Sequence, residues 1–185
     1  MPKPPKLELS HRYFLGIDPG KKGGLAIIND ELEVVELALM PKGGGEFFRW
    51  LSYNLIKAGV GDLTVTLEKV HSMRGQGSQS TFTFGMELGK CEALINILWR
   101  EREIQGIGPT NIITPTPQIW MKSLGIQKRV NDFKTKTLWK RHLRSVAKEL
   151  FPKANLWQSS WWNEGRTDAV SDAMLIAYYG WLKSQ

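Results

Sequence analysis

The sequence predicts an α/β fold with a mixed five-stranded sheet and helices on both faces. Three short apolar segments open the chain, and the turn residues between them are typical of neighbouring antiparallel strands. Two further predicted strands alternate with helical segments, which is the pattern of a sheet covered by helices. The chain has 185 residues, of which 42% are apolar, so it can bury the core of one such sheet.

The first three strands are expected to form an antiparallel meander. Residues 13–18 are an apolar run that ends in a Pro-Gly turn. Residues 24–28 form the second predicted strand, and an Asn-Asp turn leads to a third strand at residues 32–40. The opening of the chain therefore supplies one half of the sheet.

Strands and helices alternate along the rest of the chain. Residues 63–68 alternate apolar and polar side chains, and residues 111–114 form a short apolar run, so we predict the fourth and fifth strands there. Helical spacing of apolar residues predicts helices at residues 46–58, 83–102, 118–124, 134–151 and 167–182. The residues at 72–80 are rich in Gly, Ser and Gln, which is typical of a loop. Gly85 and Gly89 lie on one helix face, which predicts close packing there, and Trp120 is assigned to the core.

The composition excludes several classes of protein. A single cysteine, Cys91, rules out an intramolecular disulfide framework and a cysteine-based zinc site. No run of about 18 apolar residues is present, and the first residues lack the apolar stretch of a signal peptide. We therefore expect a soluble intracellular protein with a flexible N-terminal segment at residues 1–12 and a single domain at residues 13–185.

The formal net charge of +7 comes from one segment. Residues 120–153 contain ten basic and two acidic residues, so this segment alone carries +8. Within it, a predicted amphipathic helix places bases four residues apart on one face: Lys136, Lys140, Arg144 and Lys148. Like charges at this spacing disfavour a helix unless an anion offsets them. The row is either a solvated face that keeps the protein soluble or a surface for a phosphate backbone.

Two acidic residues lie at the ends of predicted strands. Asp18 ends the first strand, and in open α/β sheets functional side chains gather beyond the carboxyl ends of strands. The sequence Asp-Pro-Gly is equally compatible with a simple turn. Glu68 ends the fourth strand on its polar face, where a solvated edge position is the alternative to a functional role.

Asp168 and Asp172 share one face of the last predicted helix, and that face continues into apolar residues. Two like charges on an inward-packing face are costly unless a positive group lies between them. A helix cap at Thr167 would account well for Asp168 and poorly for Asp172, one turn later. Carboxylates without a Cys or His ligand set suit Mg²⁺ or Mn²⁺, and two such ions can promote cleavage of a phosphodiester.

Five motifs occur in a fixed order along the chain. They are Gly16-Ile-Asp-Pro-Gly20 with Gly23-Gly24-Leu-Ala, Glu68-Lys-Val-His71, Phe84-Gly-x-x-x-Gly89, Thr116-Pro-Gln-x-Trp120, and Asp168-x-x-x-Asp172-Ala-x-Leu-Ile-Ala177. Together they resemble the RuvC-type Holliday-junction resolvases, in particular the divergent bacterial, phage and chloroplast-like branch. The resemblance extends over nearly the whole chain, from about residue 13 to residue 180.

The resemblance implies an RNase H-like fold, a homodimer, and paired metal-dependent nicks in a four-way DNA junction that leave 5′-phosphates, in recombination and repair. It implies two Mg²⁺ or Mn²⁺ ions held by four catalytic acids: Asp18, Glu68, Asp168 and Asp172. In this family, basic contacts to the junction fall in the region of Lys122, Lys134, Lys136 and Lys140. We add Arg144 on the same helix face and Arg74 in the glycine-rich loop as candidate DNA contacts.

The chain departs from this family at two places. Some relatives carry an aromatic wedge shortly after the fourth-strand acid, where this chain has His71. The wedge is then His71, a residue of the following loop such as Phe82, or absent. Some relatives also carry His or Glu where this chain has Asp168 or Asp172, and Asp keeps oxygen ligation but changes its reach.

Other functions are compatible with parts of the sequence. A binding protein for branched DNA without cleavage, or a nuclease or binding protein for structured RNA, would share the fold and the basic segment. ATP-binding domains of the actin and sugar-kinase fold also open with Asp-x-Gly, but they need a second lobe for which 185 residues leave no room. The persistence of all four acids favours the nuclease. We expect a cytoplasmic, nucleoid-associated protein of bacterial or phage origin, with an organelle as the alternative location.

Overall fold

The computed structural model describes residues 12–56, 61–69, 77–126, 135–157 and 164–185, except for the side chains of Lys136 and Glu164. The strands are β1 (Tyr13–Ile17), β2 (Gly24–Asn29), β3 (Val34–Leu39), β4 (Leu63–Leu67) and β5 (Thr110–Ile113). The α-helices are α1 (Gly44–Leu51), α2 (Ser78–Ile104), α3 (Pro117–Ser123), α4 (Lys136–Leu150) and α5 (Glu164–Lys183). A π-type turn at Ser52–Ile56 extends α1, and a short 3₁₀ turn at Asn155–Trp157 follows α4.

The five strands form one mixed sheet in the order β3-β2-β1-β4-β5. The β1–β2 and β2–β3 pairs are antiparallel, whereas β1–β4 and β4–β5 are parallel. Helices cover both faces of the sheet: α1 and α2 pack on one face, and α5 packs on the other. The predicted fold class, a mixed five-stranded sheet between helices, is confirmed.

The central strand explains why both faces must be covered. Every residue of β1 is buried, because alternate side chains point to opposite faces and both are apolar. Tyr13, Leu15 and Ile17 join the core cluster under α1 and α2. Phe14 joins the cluster under α5. A strand of this kind is stable only between two helical layers.

Helix α5 approaches the sheet very closely, because glycines on the strands face small residues on the helix. A Cβ on Gly16 would lie 2.9 Å from the Cβ of Ala177, and one on Gly24 would lie 2.6 Å from the carbonyl oxygen of Ala169. Real Cβ atoms do not approach so closely, so only glycine fits at these two positions. The contact fixes the N-terminal half of α5 over the carboxyl end of β1.

Three expectations from the sequence are wrong. Helix α2 begins at Ser78, inside the predicted loop at 72–80, because a long packed helix extends through polar residues that lack apolar periodicity. Helix α5 begins at Glu164, so Thr167 lies inside the helix and is not its cap. Nothing lies within 4 Å of a Cβ built on Gly85 or Gly89, so among the described residues these glycines mediate no close packing. They lie off the sheet-facing side of α2, which is formed by its buried apolar residues.

A search of the described helices for a candidate membrane span, by length and hydropathy, found none.

Replacing Gly16 with alanine should destabilise the protein, because the new methyl group would push α5 off the central strand. We expect the free energy of unfolding to fall by about 2–3 kcal/mol in urea denaturation. The control is Gly45→Ala in the first turn of α1, where a Cβ would meet nothing within 4 Å. That variant should be neutral or more stable by up to ~1 kcal/mol. Equal stability of the two variants would contradict the close contact.

Candidate active site

Asp18 and Glu68 lie side by side at one edge of the sheet. Each follows directly after a strand, and those two strands are parallel neighbours whose last residues, Ile17 and Leu67, are paired. The backbone N–H of Glu68 donates to the carbonyl oxygen of Ile17 at 3.1 Å, which carries the pairing one residue further. The parallel register therefore places both carboxylates at the carboxyl edge of the sheet.

Asp18 also stabilises the turn that follows it. The backbone N–H of Gly20 donates to Asp18 Oδ1 at 3.1 Å, and the N–H of Gly23 donates to the carbonyl oxygen of Gly20 at 2.7 Å. The sequence left open whether Asp18 belongs to a turn or to a functional site. In the structure it can do both, because its carboxylate accepts the turn hydrogen bond and also lies at the candidate site. The turn holds the Asp18 carboxylate at the rim of a cavity of about 410 Å³, which Lys140 and Asp168 also line.

Glu68 is held by an indole. Trp120 Nε1 donates to Glu68 Oε1 at 2.8 Å, and the Trp120 side chain is only 2% exposed. Glu68 is therefore not on a solvated edge. The sequence assigned Trp120 to the core, and it missed this hydrogen bond. In the sequence, the signal for this contact was the Thr116-Pro-Gln-x-Trp120 motif. In the structure, the start of α3 lies close to the carboxyl end of β4, because the Lys69 N–H donates to the Pro115 carbonyl oxygen at 2.8 Å.

Helices α4 and α5 add two acids and two bases to the same edge. Asp172 on α5 forms an ion pair with Lys140 on α4. One helical turn away on each helix, Asp168 lies 3.5 Å from Arg144, measured from Oδ1 to Nε. Two of the three bases predicted as DNA contacts on this helix face, Lys140 and Arg144, thus contact carboxylates of the candidate site.

The electrostatics of the site follow from burial and from like charges. Burial, and then the negative charge of Asp18, raise the pKa of Glu68 to about 7, although the hydrogen bond from Trp120 opposes the shift. Burial raises the pKa of Asp172 to about 6, against the opposing charge of Lys140. Burial also raises the pKa of Asp18. Three acids with raised pKa values at one sheet edge form a candidate functional site.

The side chains suit a hard divalent cation. All four candidate ligands are carboxylates, which Mg²⁺ and Mn²⁺ prefer. Asp172 Oδ1 is buried and has no hydrogen-bond partner among the described residues. Asp168 Oδ1 is also buried, and it faces the Arg144 guanidinium at 3.5 Å. A buried oxygen without a partner, such as Asp172 Oδ1, is expected where an ion completes the site. In the described part of the chain, no three Asp, Glu, His or Cys side chains are placed so that they could hold a metal ion together. The charge of the Lys140 ammonium acts on Asp172, Asp18 and Asp168.

The remaining predicted DNA contacts are only partly described. Lys122 is exposed on α3, two residues after Trp120. His71, Arg74 and Lys134 lie outside the described residues, as does the side chain of Lys136. Their roles, including the possible wedge at His71, stay predictions. Phe82, the alternative wedge, is 69% exposed near the start of α2.

The fold is similar to that of two solved RuvC structures. The structure of Thermus thermophilus RuvC in complex with a Holliday junction substrate matches this chain with a TM-score of 0.56 and 13% sequence identity, over 91% of this chain and 94% of that one. A second Thermus thermophilus RuvC structure matches with a TM-score of 0.53 and 13% identity, over 92% and 96% of the two chains. Comparison of the sequence with protein-family models and with curated proteins finds no match. At 13% identity the likeness shows that the chains share a fold.

Without metal ions, the protein should become less stable as the pH rises from about 5 to about 8. Folding raises the pKa of Glu68 from 4.5 to about 7 and that of Asp172 from 3.8 to about 6. The folded protein therefore binds more protons than the unfolded chain in this range, and the free energy of unfolding falls as those protons leave. Urea unfolding in EDTA should show a loss on the order of 2 kcal/mol.

Glu68→Gln should remove a large part of this pH dependence, since the amide does not titrate. Glu92→Gln, at an exposed position on α2, is the matched control and should keep the wild-type dependence. A wild-type stability that is constant or rises over the same range would show that the carboxyl groups do not have these raised pKa values.

Proposed function

We propose that this protein is a divalent-metal-dependent endonuclease that resolves four-way DNA junctions by paired nicks, in recombination and repair. The observation that carries the proposal is that four carboxylates from three elements distant in sequence lie within electrostatic range of one another, at the carboxyl edge of the sheet. A purely structural core gains nothing from gathering acids at one place, because their mutual repulsion and burial are costly.

The proposed chemistry assigns each acid to metal binding. Asp18, Glu68, Asp168 and Asp172 would hold two Mg²⁺ or Mn²⁺ ions. Bound ions of this kind would supply activation of a water molecule and stabilisation of charge on the leaving oxygen, and cleavage would leave a 5′-phosphate and a 3′-hydroxyl. The chain itself orients the ligands: the Gly20 N–H holds Asp18, and the Trp120 indole N–H holds Glu68.

Branched DNA is the substrate class that the charge distribution supports. The net +8 of residues 120–153 lies in the segment that includes α3 and α4, both of which contact the candidate site. Lys122, Arg141 and Lys148 are exposed on these two helices and can reach a phosphate backbone. One of the solved structures with this fold contains a Holliday junction substrate. We propose that this chain binds the same class of DNA.

A homodimer follows from the proposed reaction. The described part of the chain holds one such carboxylate cluster, and two symmetric nicks across a junction require two clusters related by a twofold axis. Helix α2 offers a surface for this contact, because apolar side chains spaced along one side of it are exposed: Phe82, Met86, Ile97 and Ile104. Gly85 and Gly89 lie beside this row and would let a second helix approach closely.

A branched-DNA-binding protein without cleavage is the second candidate. It is favoured by one observation, the ion pairs of Lys140 and Arg144, which neutralise two of the four acids. A nuclease both binds and cuts a four-way junction, whereas a binding protein only binds it.

Asp18→Asn should abolish cleavage of a synthetic four-way junction in Mg²⁺ and leave junction affinity within about threefold of wild type. Asparagine keeps the shape of the side chain and its acceptor for the Gly20 N–H, but it supplies no negative charge to a cation. We expect at least about a thousandfold loss of cleavage rate. The control is Asp62→Asn, the same chemical change at an exposed position before β4, at the opposite edge of the sheet.

Junction binding by a wild-type protein that leaves the junction intact would favour the binding protein. Equal cleavage of linear duplex and junction would indicate a general nuclease. Cleavage by Asp18→Asn at the wild-type rate would show that the Asp18 carboxylate takes no part in the reaction.

Met86→Glu should convert a homodimer into a monomer, because it places a charge in the middle of the exposed apolar row of α2. Sedimentation at about 10 μM should show a loss of half the mass. Leu182→Glu introduces the same charge at another exposed apolar position, near the end of α5, and should leave the mass unchanged. A wild-type monomer under these conditions, or a Met86→Glu dimer, would contradict the proposed interface.

A further inference from the structure

Helices α4 and α5 carry matched rows of opposite charge. Lys140 and Arg144 lie four residues apart on α4, and Asp168 and Asp172 lie four residues apart on α5. Lys140 contacts Asp172, and Arg144 contacts Asp168. Each row is unfavourable alone, because like charges at this spacing repel, and each is offset by the other.

These pairs differ from an ordinary surface ladder, because they lie inside the carboxylate cluster. The Lys140 side chain is 28% exposed and that of Asp172 is 12% exposed. The Lys140 ammonium interacts with Asp172 most closely and also with Asp18 and Asp168. It interacts with Glu68 as well. The charge of one amine therefore acts on all four carboxylates that the proposed function assigns to metal binding, and its direct contact is with Asp172.

The charge balance shows that Lys140 and a full set of divalent ions compete. Four ionised carboxylates with Lys140 and Arg144 in place leave two uncompensated negative charges, which match one divalent cation. Two divalent ions carry four positive charges. A second ion is therefore favourable only if a base leaves the cluster.

The geometry favours Lys140 as the base that leaves. Its ammonium contacts Asp172 Oδ2, while Asp172 Oδ1 is buried with no hydrogen-bond partner in the described part of the chain. The contact thus satisfies only one of the two oxygens. The ammonium sits at the end of a flexible four-carbon chain, so it can withdraw into the adjoining cavity without any movement of α4.

We propose that Lys140 is a built-in substitute for a divalent cation. It holds the four carboxylates together in the metal-free protein, and it competes with the incoming ion for Asp172. The inference rests on the proposed function, because it concerns the same carboxylates and the same class of ion. It assigns Lys140 to the cluster itself, where the sequence alone suggests a contact to the DNA backbone.

The test is Mn²⁺ binding to the DNA-free protein by isothermal titration calorimetry, with Lys140→Met as the variant. Methionine keeps the length of the side chain and removes its charge. The variant should bind Mn²⁺ at least about tenfold more tightly than wild type, because the ion no longer has to displace an ammonium. In EDTA the variant should melt at a lower temperature, and saturating Mn²⁺ should raise its melting temperature by more than it raises that of wild type.

Lys148→Met is the matched control. It removes the same charge from the same helix, eight residues further on and at an exposed position. Its affinity for Mn²⁺ should stay within about twofold of wild type, since long-range effects of an exposed charge are screened. Lys140→Gln keeps a hydrogen-bond donor toward Asp172 without the charge, and should show the same direction of change if Lys140→Met does not fold.

The outcomes separate this inference from the proposed function. If wild type binds Mn²⁺ and the Lys140 variants bind it equally or more weakly, then Lys140 supports the ligands or is structural, and only the inference fails. If neither wild type nor the variants bind Mn²⁺, the proposed metal-dependent function fails together with it. Equal gains in Mn²⁺ affinity for Lys140→Met and Lys148→Met would show that the gain comes from the lower net charge of the protein, and would also overturn the inference.

Discussion

The close contact between α5 and the two central strands is the constraint on which the candidate site depends. Glycines on β1 and β2 leave no side chain between the sheet and the helix, so the backbone of α5 lies directly on the strands at Gly16 and Gly24. This contact sets where the first turns of α5 lie relative to the carboxyl edge of the sheet. Asp168 and Asp172 project from those turns. A larger residue at either strand position would move the helix and both carboxylates with it.

This packing gathers negative charges in a buried place, and other groups of the chain partly offset the resulting repulsion. Burial and mutual repulsion raise the pKa values of Asp18, Glu68 and Asp172, so the cluster is unfavourable in its fully ionised form. An amide N–H holds Asp18 and an indole N–H holds Glu68. The bases of α4 neutralise the acids of α5. Each of these groups lowers the cost of gathering the acids, and each also fixes the direction of a carboxylate.

The basic row of α4 and the acidic pair of α5 look independent in the sequence, but in the structure they contact each other. The row of bases on α4 suggests a polyanion, and the pair of acids on α5 suggests a metal ion, because each is an unfavourable set of like charges by itself. Lys140 and Asp172 are 32 residues apart in the chain and form an ion pair in the fold. The basic row is therefore divided: Lys140 and Arg144 belong to the carboxylate cluster, while Lys148 is exposed. Among the described bases of this region, Lys122 and Lys148 are exposed at the surface.

The sequence by itself determines the strands and the mixed sheet class, because apolar runs and turn residues are local properties. The parallel pairing of β1 with β4, which brings Asp18 next to Glu68, is set by the tertiary structure. The sequence also predicts the face that carries Asp168 and Asp172, since helical periodicity fixes which residues share a side. It does not determine that Trp120 binds Glu68, that the glycines of α2 are open, or that Lys140 meets Asp172. Those contacts depend on the distance and angle between packed elements, and only the tertiary structure sets these to within a hydrogen bond.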